Sequence, residues 1–184
     1  MINTKDDWVQ AGLKILRVQG INAVKVEALA RKLGVSKGGF YGYFLNRDAL
    51  LQAMLNHWET VLTDEIIGAV SAIEGSLAEK LGQLLTLVNT HVDEDLELAL
   101  IAWSIHDKNA EQVINRIVRR RVDFMKSLFL EEGFSEEQSE LRARLMHSFN
   151  HGDRAFAGAC EAKESPKRQQ IIDDFVKLMC TPVS

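Results

Sequence analysis

The sequence is poor in residues that interrupt helices or cross-link chains. It holds two prolines and two cysteines in 184 residues. Cys160 and Cys180 lie far apart and form no Cys-x-x-Cys pair, so we expect neither a disulfide framework nor a zinc knuckle, and we interpret both as small packed apolar residues. Because proline is scarce and apolar residues recur at intervals of three and four, the sequence predicts an all-α fold of about nine helices.

Long apolar runs and an export signal are also missing. The longest apolar stretch, Leu96–Ile105, is interrupted by Glu97 and Ser104 and is shorter than the roughly 20 residues that cross a bilayer. The N-terminus carries Asp6 and Asp7, where a secretory signal has basic and then apolar residues. The sequence therefore predicts a cytoplasmic protein that has no membrane partner.

The net charge of −4 conceals an asymmetry along the chain. Residues 1–50 hold eight Lys and Arg against four Asp and Glu, whereas residues 51–184 hold fourteen against twenty-two. A basic segment joined to an acidic remainder is typical of a polyanion-binding domain followed by a domain of another role. We therefore predict a domain at 1–50 that binds a polyanion such as DNA and a separate helical domain at 51–184.

Capping residues mark where the predicted helices begin. A side-chain oxygen just before an apolar periodic segment satisfies a free backbone N–H of the first turn. Such residues occur at Thr4, Ser36, Asn46, Ser76, Asp93, Ser135 and Ser165. The helix that Asn46 caps is expected to be long and to run through Leu62.

Residues 24–55 have the layout of a helix-turn-helix. Two short helical segments flank a turn that contains Gly34, which can adopt positive φ. Val26, Leu29 and Ala30 on the first segment and Phe40 on the second are expected to form the small core that fixes the crossing angle of the two helices.

The outer face of the second segment suits a DNA groove. Gly38 and Gly39 carry no side chains, so the start of the helix can come close to a duplex. Lys37 can reach a guanine edge or a phosphate. Tyr41 and Tyr43 offer hydroxyl groups to the DNA backbone.

The segment LARKLGVSKGGFYGYFLNRDALL resembles the DNA-binding signature of the TetR family of transcriptional regulators. The resemblance covers about residues 8–55 and combines the turn, the recognition helix and the start of the fourth helix, which makes it more specific than a generic helix-turn-helix pattern. Val26 stands where the family often has a capping Thr, and Gly42 where relatives often carry a larger side chain. The predicted DNA-binding residues are Lys25, Ser36, Lys37, Gly38, Gly39, Tyr41, Tyr43 and Arg47.

For the remainder of the chain, the resemblance implies a ligand cavity in the second domain and a homodimer formed through the last two helices. The candidate cavity residues combine apolar bulk with polar tips, and they are Trp58, Trp103, His106, Phe124, His147 and His151. His147 and His151 also have the i, i+4 spacing of a two-histidine metal site near Asp153. Because no third spaced ligand accompanies them, neither a metal nor a cofactor is predicted.

The leading hypothesis is a dimeric repressor that binds double-stranded DNA at a palindromic operator and is released by a small-molecule effector. The alternative is a DNA-organising or protein-binding helical module without an inducer. Solid packing of residues 75–160 would favour that alternative. An enzyme is not expected, because the sequence has no nucleophile elbow, phosphate-binding loop or metal-binding motif.

Overall fold

A computed structural model describes residues 4–160 and 165–182, except for the side chains at 62 and 153–160. These residues form ten α-helices and no strand, which confirms the all-α prediction. None of the described helices is both long enough and apolar enough to cross a membrane. The helices are α1 (Lys5–Gln19), α2 (Val26–Leu33), α3 (Lys37–Tyr41), α4 (Arg47–Glu59), α5 (Glu65–Ser71), α6 (Leu77–His91), α7 (Glu94–Ser104), α8 (Lys108–Glu131), α9 (Glu136–Cys160) and α10 (Pro166–Cys180).

Most helices begin at the predicted capping residues. Thr4 Oγ1 accepts a hydrogen bond from the Asp7 N–H, and the Asp7 carboxylate accepts one from the Thr4 N–H in return. Ser76 and Glu79 form the same reciprocal pair at α6. Ser36 precedes α3, but its side chain makes no capping hydrogen bond. Side-chain oxygens accept from first-turn N–H groups at Asn46, Asp93, Ser135 and Ser165.

The prediction that one α-helix runs from Asn46 through Leu62 is wrong about where the helix ends. The α-helix ends at Glu59, a π-helical turn covers Thr60–Asp64, and α5 follows directly. Asp64 has helical backbone angles and makes no capping hydrogen bond, so the sequence gives no signal that a new helix begins. The wider π turn changes the angular register of the chain, and Ile66 and Val70 are then buried on α5.

The described chain divides into two compact units. Unit 1 contains Met1–Val61 and Asp93–Asn115, and unit 2 contains Leu62–Val92 and Arg116–Ser184. Unit 1 therefore includes α4 and α7 in addition to the helix-turn-helix. The division of function at residue 50 stays a prediction.

The core of unit 1 is built around α1, which packs against α2, α4 and α7. Trp8, Leu16 and Leu50 are almost completely buried in it. Gly12 of α1 faces Met54 of α4 so closely that a Cβ at residue 12 would lie 2.7 Å from the Met54 sulfur. The glycine thus permits the close approach of these two helices.

In unit 2, α6 packs against α5 and α10, and α8 and α9 are joined by a short turn at Gly133. Lys126 of α8 pairs with Glu136 and, at 3.4 Å, with Glu140 of α9. Phe129 contacts Phe134 edge to face across the turn. These contacts make α8 and α9 antiparallel neighbours near the turn.

Candidate nucleic-acid interface

The predicted turn between α2 and α3 is present in unit 1. Helix α2 ends at Gly34, which has the left-handed backbone angles φ 69° and ψ 29°. The Val35 N–H donates to the Ala30 carbonyl at 3.0 Å, and the Gly34 N–H to the Arg31 carbonyl at 3.3 Å. These bonds satisfy carbonyls at the end of α2, while the glycine accepts a conformation that a side chain would oppose. The chain consequently reverses and enters α3 within three residues.

Aromatic packing fixes the inner face of α3. Phe40 has no exposed surface. Its ring meets Trp8 of α1 edge to face and stacks on Phe44, with 5.3 Å between ring centroids in both pairs. Since aromatic pairs of this geometry add stabilisation to their area of burial, Phe40 holds the short helix in one orientation on α1.

The outer face of α3 has no protein packed over it. Lys37, Gly38 and Gly39 are exposed, as are Tyr41 and Tyr43. A Cβ added at Gly39 would meet no atom within 4 Å. Because Gly in a helix interior costs roughly 1 kcal/mol relative to Ala, and the surrounding protein does not require this one, Gly39 is explained better by something outside the monomer.

Lys37 is the cation on this face, and it has a partner within the chain. Its Nζ lies 2.5 Å from a carboxylate oxygen of Glu27 on α2. The hydrogen bond between them raises the pKa of Lys37 and lowers the pKa of Glu27. Both side chains are exposed, so an external anion would compete with Glu27 for the ammonium group.

Arg47 is oriented differently from the other predicted DNA-binding residues. Its side chain is half-buried, its Nε donates to the Val24 carbonyl at 2.7 Å, and its Nη2 donates to the Ile21 carbonyl at 2.9 Å. Arg47 thus holds the segment that leads into α2. The structure does not bring it onto the outer face of α3, and its orientation has no signal in the local sequence. Lys25 is exposed at the residue before α2, and Ser36 is exposed at the residue before α3.

Sequence comparison assigns this same segment to a family. The family described as "Bacterial regulatory proteins, tetR family" matches residues 9–54. The chain thus carries the N-terminal segment that is characteristic of the TetR family of transcriptional regulators. It is 27% identical over 171 residues to the HTH-type transcriptional regulator YobS of Bacillus subtilis, a match that covers 89% of this chain and 82% of YobS.

Solved structures of transcriptional regulators share the fold of this chain. A putative transcriptional regulator from Pseudomonas aeruginosa PAO1 is 18% identical, with a TM-score of 0.79 over 95% of this chain and 89% of that one. FadR from Bacillus subtilis, solved in complex with stearoyl-CoA, is 14% identical, with a TM-score of 0.67 over 98% of this chain and all of FadR. At these identities the likeness shows the fold alone.

Unit 2 contains a cavity of about 50 Å³ that is partly open to solvent. Nine apolar side chains from α5, α6, α8, α9 and the Val92 position line it. The polar lining residues are Thr63, Arg121, His147, Asn150 and His151.

Three of the six residues predicted for a ligand pocket line this cavity, namely Phe124, His147 and His151. The other three do not. Trp58 and Trp103 are buried within unit 1, and His106 is exposed there. Their aromatic and polar character was the reason for grouping them, but they are not among the residues that line the cavity.

Sequence reasoning missed most of the cavity wall. Ile66 and Ile67 lie on α5, which was not predicted, and Arg121 was not among the predicted cavity residues. The apolar stripe at Leu84, Leu85 and Val88 on α6 was a usable signal, but an ordinary core produces the same stripe.

The two histidines of α9 are close to each other, with 4.4 Å between the ring centroids of His147 and His151. The side chain of Asp153 lies outside the described residues. Among those that the structure does describe, no group of three or more His, Cys, Asp or Glu could hold a metal ion.

Proposed function

We propose that this regulator is a cytoplasmic repressor that binds a palindromic operator as a homodimer and leaves it when a small molecule occupies the cavity of unit 2. The observation that carries the DNA-binding part is the bare outer face of α3. Two exposed glycines and a lysine lie there above a fully buried Phe40. One face of this helix is packed against the core, and its exposed face carries two glycines. Such a helix can lie close to the edges of a DNA groove.

Different residues of the helix-turn-helix serve this function in different ways. Lys37 exchanges Glu27 for a phosphate or a guanine edge, and the hydroxyl groups of Tyr41 and Tyr43 bind the backbone. Gly38 and Gly39 permit the close approach. Arg47 acts by positioning, because its hydrogen bonds to the Ile21 and Val24 carbonyls hold the entry to α2.

A second copy of the chain is the proposed cover for an apolar face on α9 and α10. Leu141 and Leu145, one turn apart on α9, are 57% and 44% exposed, and Leu178 of α10 is 64% exposed. Together with Met179 and Pro182 they line one surface groove. Exposed apolar surface of this kind marks an interface. A two-fold dimer would place two recognition helices about 34 Å apart, the spacing that reads a palindrome.

Release by a ligand is supported by the cavity. A helical module without an inducer has no need of unfilled space in its core, whereas protein interiors are normally close-packed. The lining of the cavity combines nine apolar side chains with five polar ones, which is the composition of a small-molecule site. FadR, of similar fold, was solved with stearoyl-CoA bound, which shows that this architecture can hold a small molecule.

A pair of glycine substitutions tests the DNA-binding face without disturbing the core. Gly39→Ala and Gly68→Ala both add a methyl group to an exposed helical position with no atom within 4 Å. Each is expected to leave the fold intact, or to stabilise it by about 0.5–1 kcal/mol. Only Gly39→Ala should weaken binding to duplex from upstream of the protein's own gene, by tenfold or more as measured by fluorescence anisotropy.

A charge substitution gives the second arm of the same experiment. Each contact between a lysine and a phosphate releases counterions, so Lys37→Ala is expected to reduce the slope of log affinity against log salt concentration by about 1 for the phosphate contact that it removes. Lys14→Ala, an exposed lysine on α1, is the control and should leave the slope nearly unchanged. If Gly39→Ala and Lys37→Ala both bind the duplex as tightly as the parent protein, α3 is not the DNA-binding element.

A further inference from the structure

The walls of the unit 2 cavity differ in chemistry from one part to another. Nine of the fourteen lining residues are apolar. The five polar ones comprise a guanidinium, two imidazoles, an amide and a hydroxyl, and no carboxylate lines the cavity among the described residues. Every one of these polar groups can donate a hydrogen bond, and one of them, Arg121, is permanently charged.

The basic groups of the lining are placed together. Arg121 Nε donates to Thr63 Oγ1 at 3.2 Å. The pairing of Lys126 with Glu140 sets the register of α8 against α9, because both residues are seven positions from Gly133. In that register Arg121 of α8 lies nearly level with His147 of α9, and both line the cavity.

Along α8, the lining changes from basic to apolar towards the turn at Gly133. Phe124 and Met125 follow Arg121 by one turn of α8, towards the turn at Gly133. Leu84, Leu85 and Val88 of α6 supply a second apolar wall. The cavity therefore has an extended apolar region and a basic, donor-rich region.

We propose that the cavity binds a small amphipathic monoanion, with its apolar body between α6 and α8 and its carboxylate at Arg121. This inference rests on the proposed function, since it names the class of the effector. An anionic oxygen accepts charge-assisted hydrogen bonds from a guanidinium, which are about twice as strong as neutral ones. A cationic head group would meet the guanidinium without a lining carboxylate to compensate it.

Three probes of one shape test the proposal by calorimetric titration into the full chain. Hexanoate, hexanamide and hexylammonium each contain an unbranched chain of six carbons and differ in the charge of the head group. We expect hexanoate to bind at least about tenfold more tightly than hexanamide, because hydrogen bonds to charged groups contribute more than neutral ones, and we expect hexylammonium to bind most weakly. Equal affinities, a preference for the cation, or no binding of any probe overturns the proposal.

Substitutions on α8 test which residue causes the preference for hexanoate over hexanamide. Arg121→Gln should abolish the advantage of hexanoate over hexanamide, and Arg121→Lys should restore part of it. Arg120→Gln removes the same charge from the neighbouring residue, which pairs with Asp64 and does not line the cavity, and should leave the preference unchanged. A preference that persists in Arg121→Gln, or that disappears in Arg120→Gln, contradicts the assignment.

A third substitution checks that the probes enter the cavity. Ile67→Trp fills the space from α5 and should weaken hexanoate and hexanamide alike; unchanged affinities would place the binding elsewhere and overturn the proposal. Release of duplex DNA by hexanoate is measured separately. Anion binding without release contradicts the proposed induction but leaves the ligand class standing.

Discussion

Helix α3 and the cavity of unit 2 differ in how completely the surrounding side chains fill space. Under α3, Phe40 is fully buried and its ring contacts those of Trp8 and Phe44. In unit 2, side chains from four helices leave space unfilled. A rigid support suits a surface that must match a fixed DNA groove, whereas a loosely filled interior suits a region whose packing changes when a ligand enters. Substitutions that remove or add volume in the two regions test this difference.

The largest expected effect comes from removing volume under the recognition helix. Phe40→Ala should lower the free energy of unfolding by about 3–5 kcal/mol, since it deletes a buried aromatic ring and leaves a void. Leu45→Ala, five residues away and 85% exposed, should change it by less than about 0.5 kcal/mol. Urea unfolding followed by far-UV circular dichroism measures both. A loss below about 1 kcal/mol in Phe40→Ala would mean that the support of α3 is not tightly packed.

Adding volume should act in opposite directions in the two regions. Gly12→Val places side-chain atoms against Met54, which is fully buried and already in contact, and should cost about 1–3 kcal/mol of stability. Val88→Ile adds a methyl group to the cavity wall and should increase stability by about 0.5–1 kcal/mol.

Thermal unfolding of the two variants beside the parent protein checks this pair. The test depends on whether each substitution lowers or raises stability, and less on the size of the change. Destabilisation of Val88→Ile by more than about 1 kcal/mol would mean that the cavity wall at α6 is as tightly packed as the contact between α1 and α4.

The same contrast explains what sequence alone could predict. The helix-turn-helix was predictable because its constraints are local: Gly34 must adopt positive φ, and Phe40 must lie under the helix whose outer face carries Gly38 and Gly39. The cavity was not, because its wall joins segments far apart in sequence, and an apolar residue beside a void has the same sequence pattern as one in a filled core.

Particular errors have particular physical causes. The π turn at Thr60–Asp64 continues the chain without a capping residue, so α5 was not distinguished from α4. Trp58 and Trp103 were grouped with the cavity by their residue types, although burial in unit 1 accounts for both. Arg47 stays a predicted phosphate contact, but the orientation of its side chain has no local signal, because the backbone carbonyls of Ile21 and Val24, more than twenty residues away, determine it.

A similarly small effect is expected at Asp107, which precedes α8. Its Oδ1 accepts hydrogen bonds from the Ala110 and Asn109 N–H groups, each at 3.0 Å. The bond from Ala110, assisted by the Trp103 side chain and the charge of Arg47, lowers the pKa of Asp107. Asp107→Ala should therefore cost about 1 kcal/mol at neutral pH through loss of the cap.

The pH dependence of that cost follows from the direction of the shift. Because the pKa of Asp107 is lower in the folded than in the unfolded chain, its carboxylate stabilises the fold above about pH 4, the unfolded value. This contribution is lost as the pH falls through the folded pKa. The difference in unfolding free energy between the parent protein and Asp107→Ala should thus be constant near neutral pH and shrink in acid. Asp107→Asn, which caps without titrating, should be more stable than Asp107→Ala at neutral and at acidic pH. If the difference in unfolding free energy between the parent protein and Asp107→Ala stays constant in acid, the ionised carboxylate is not what stabilises the start of α8.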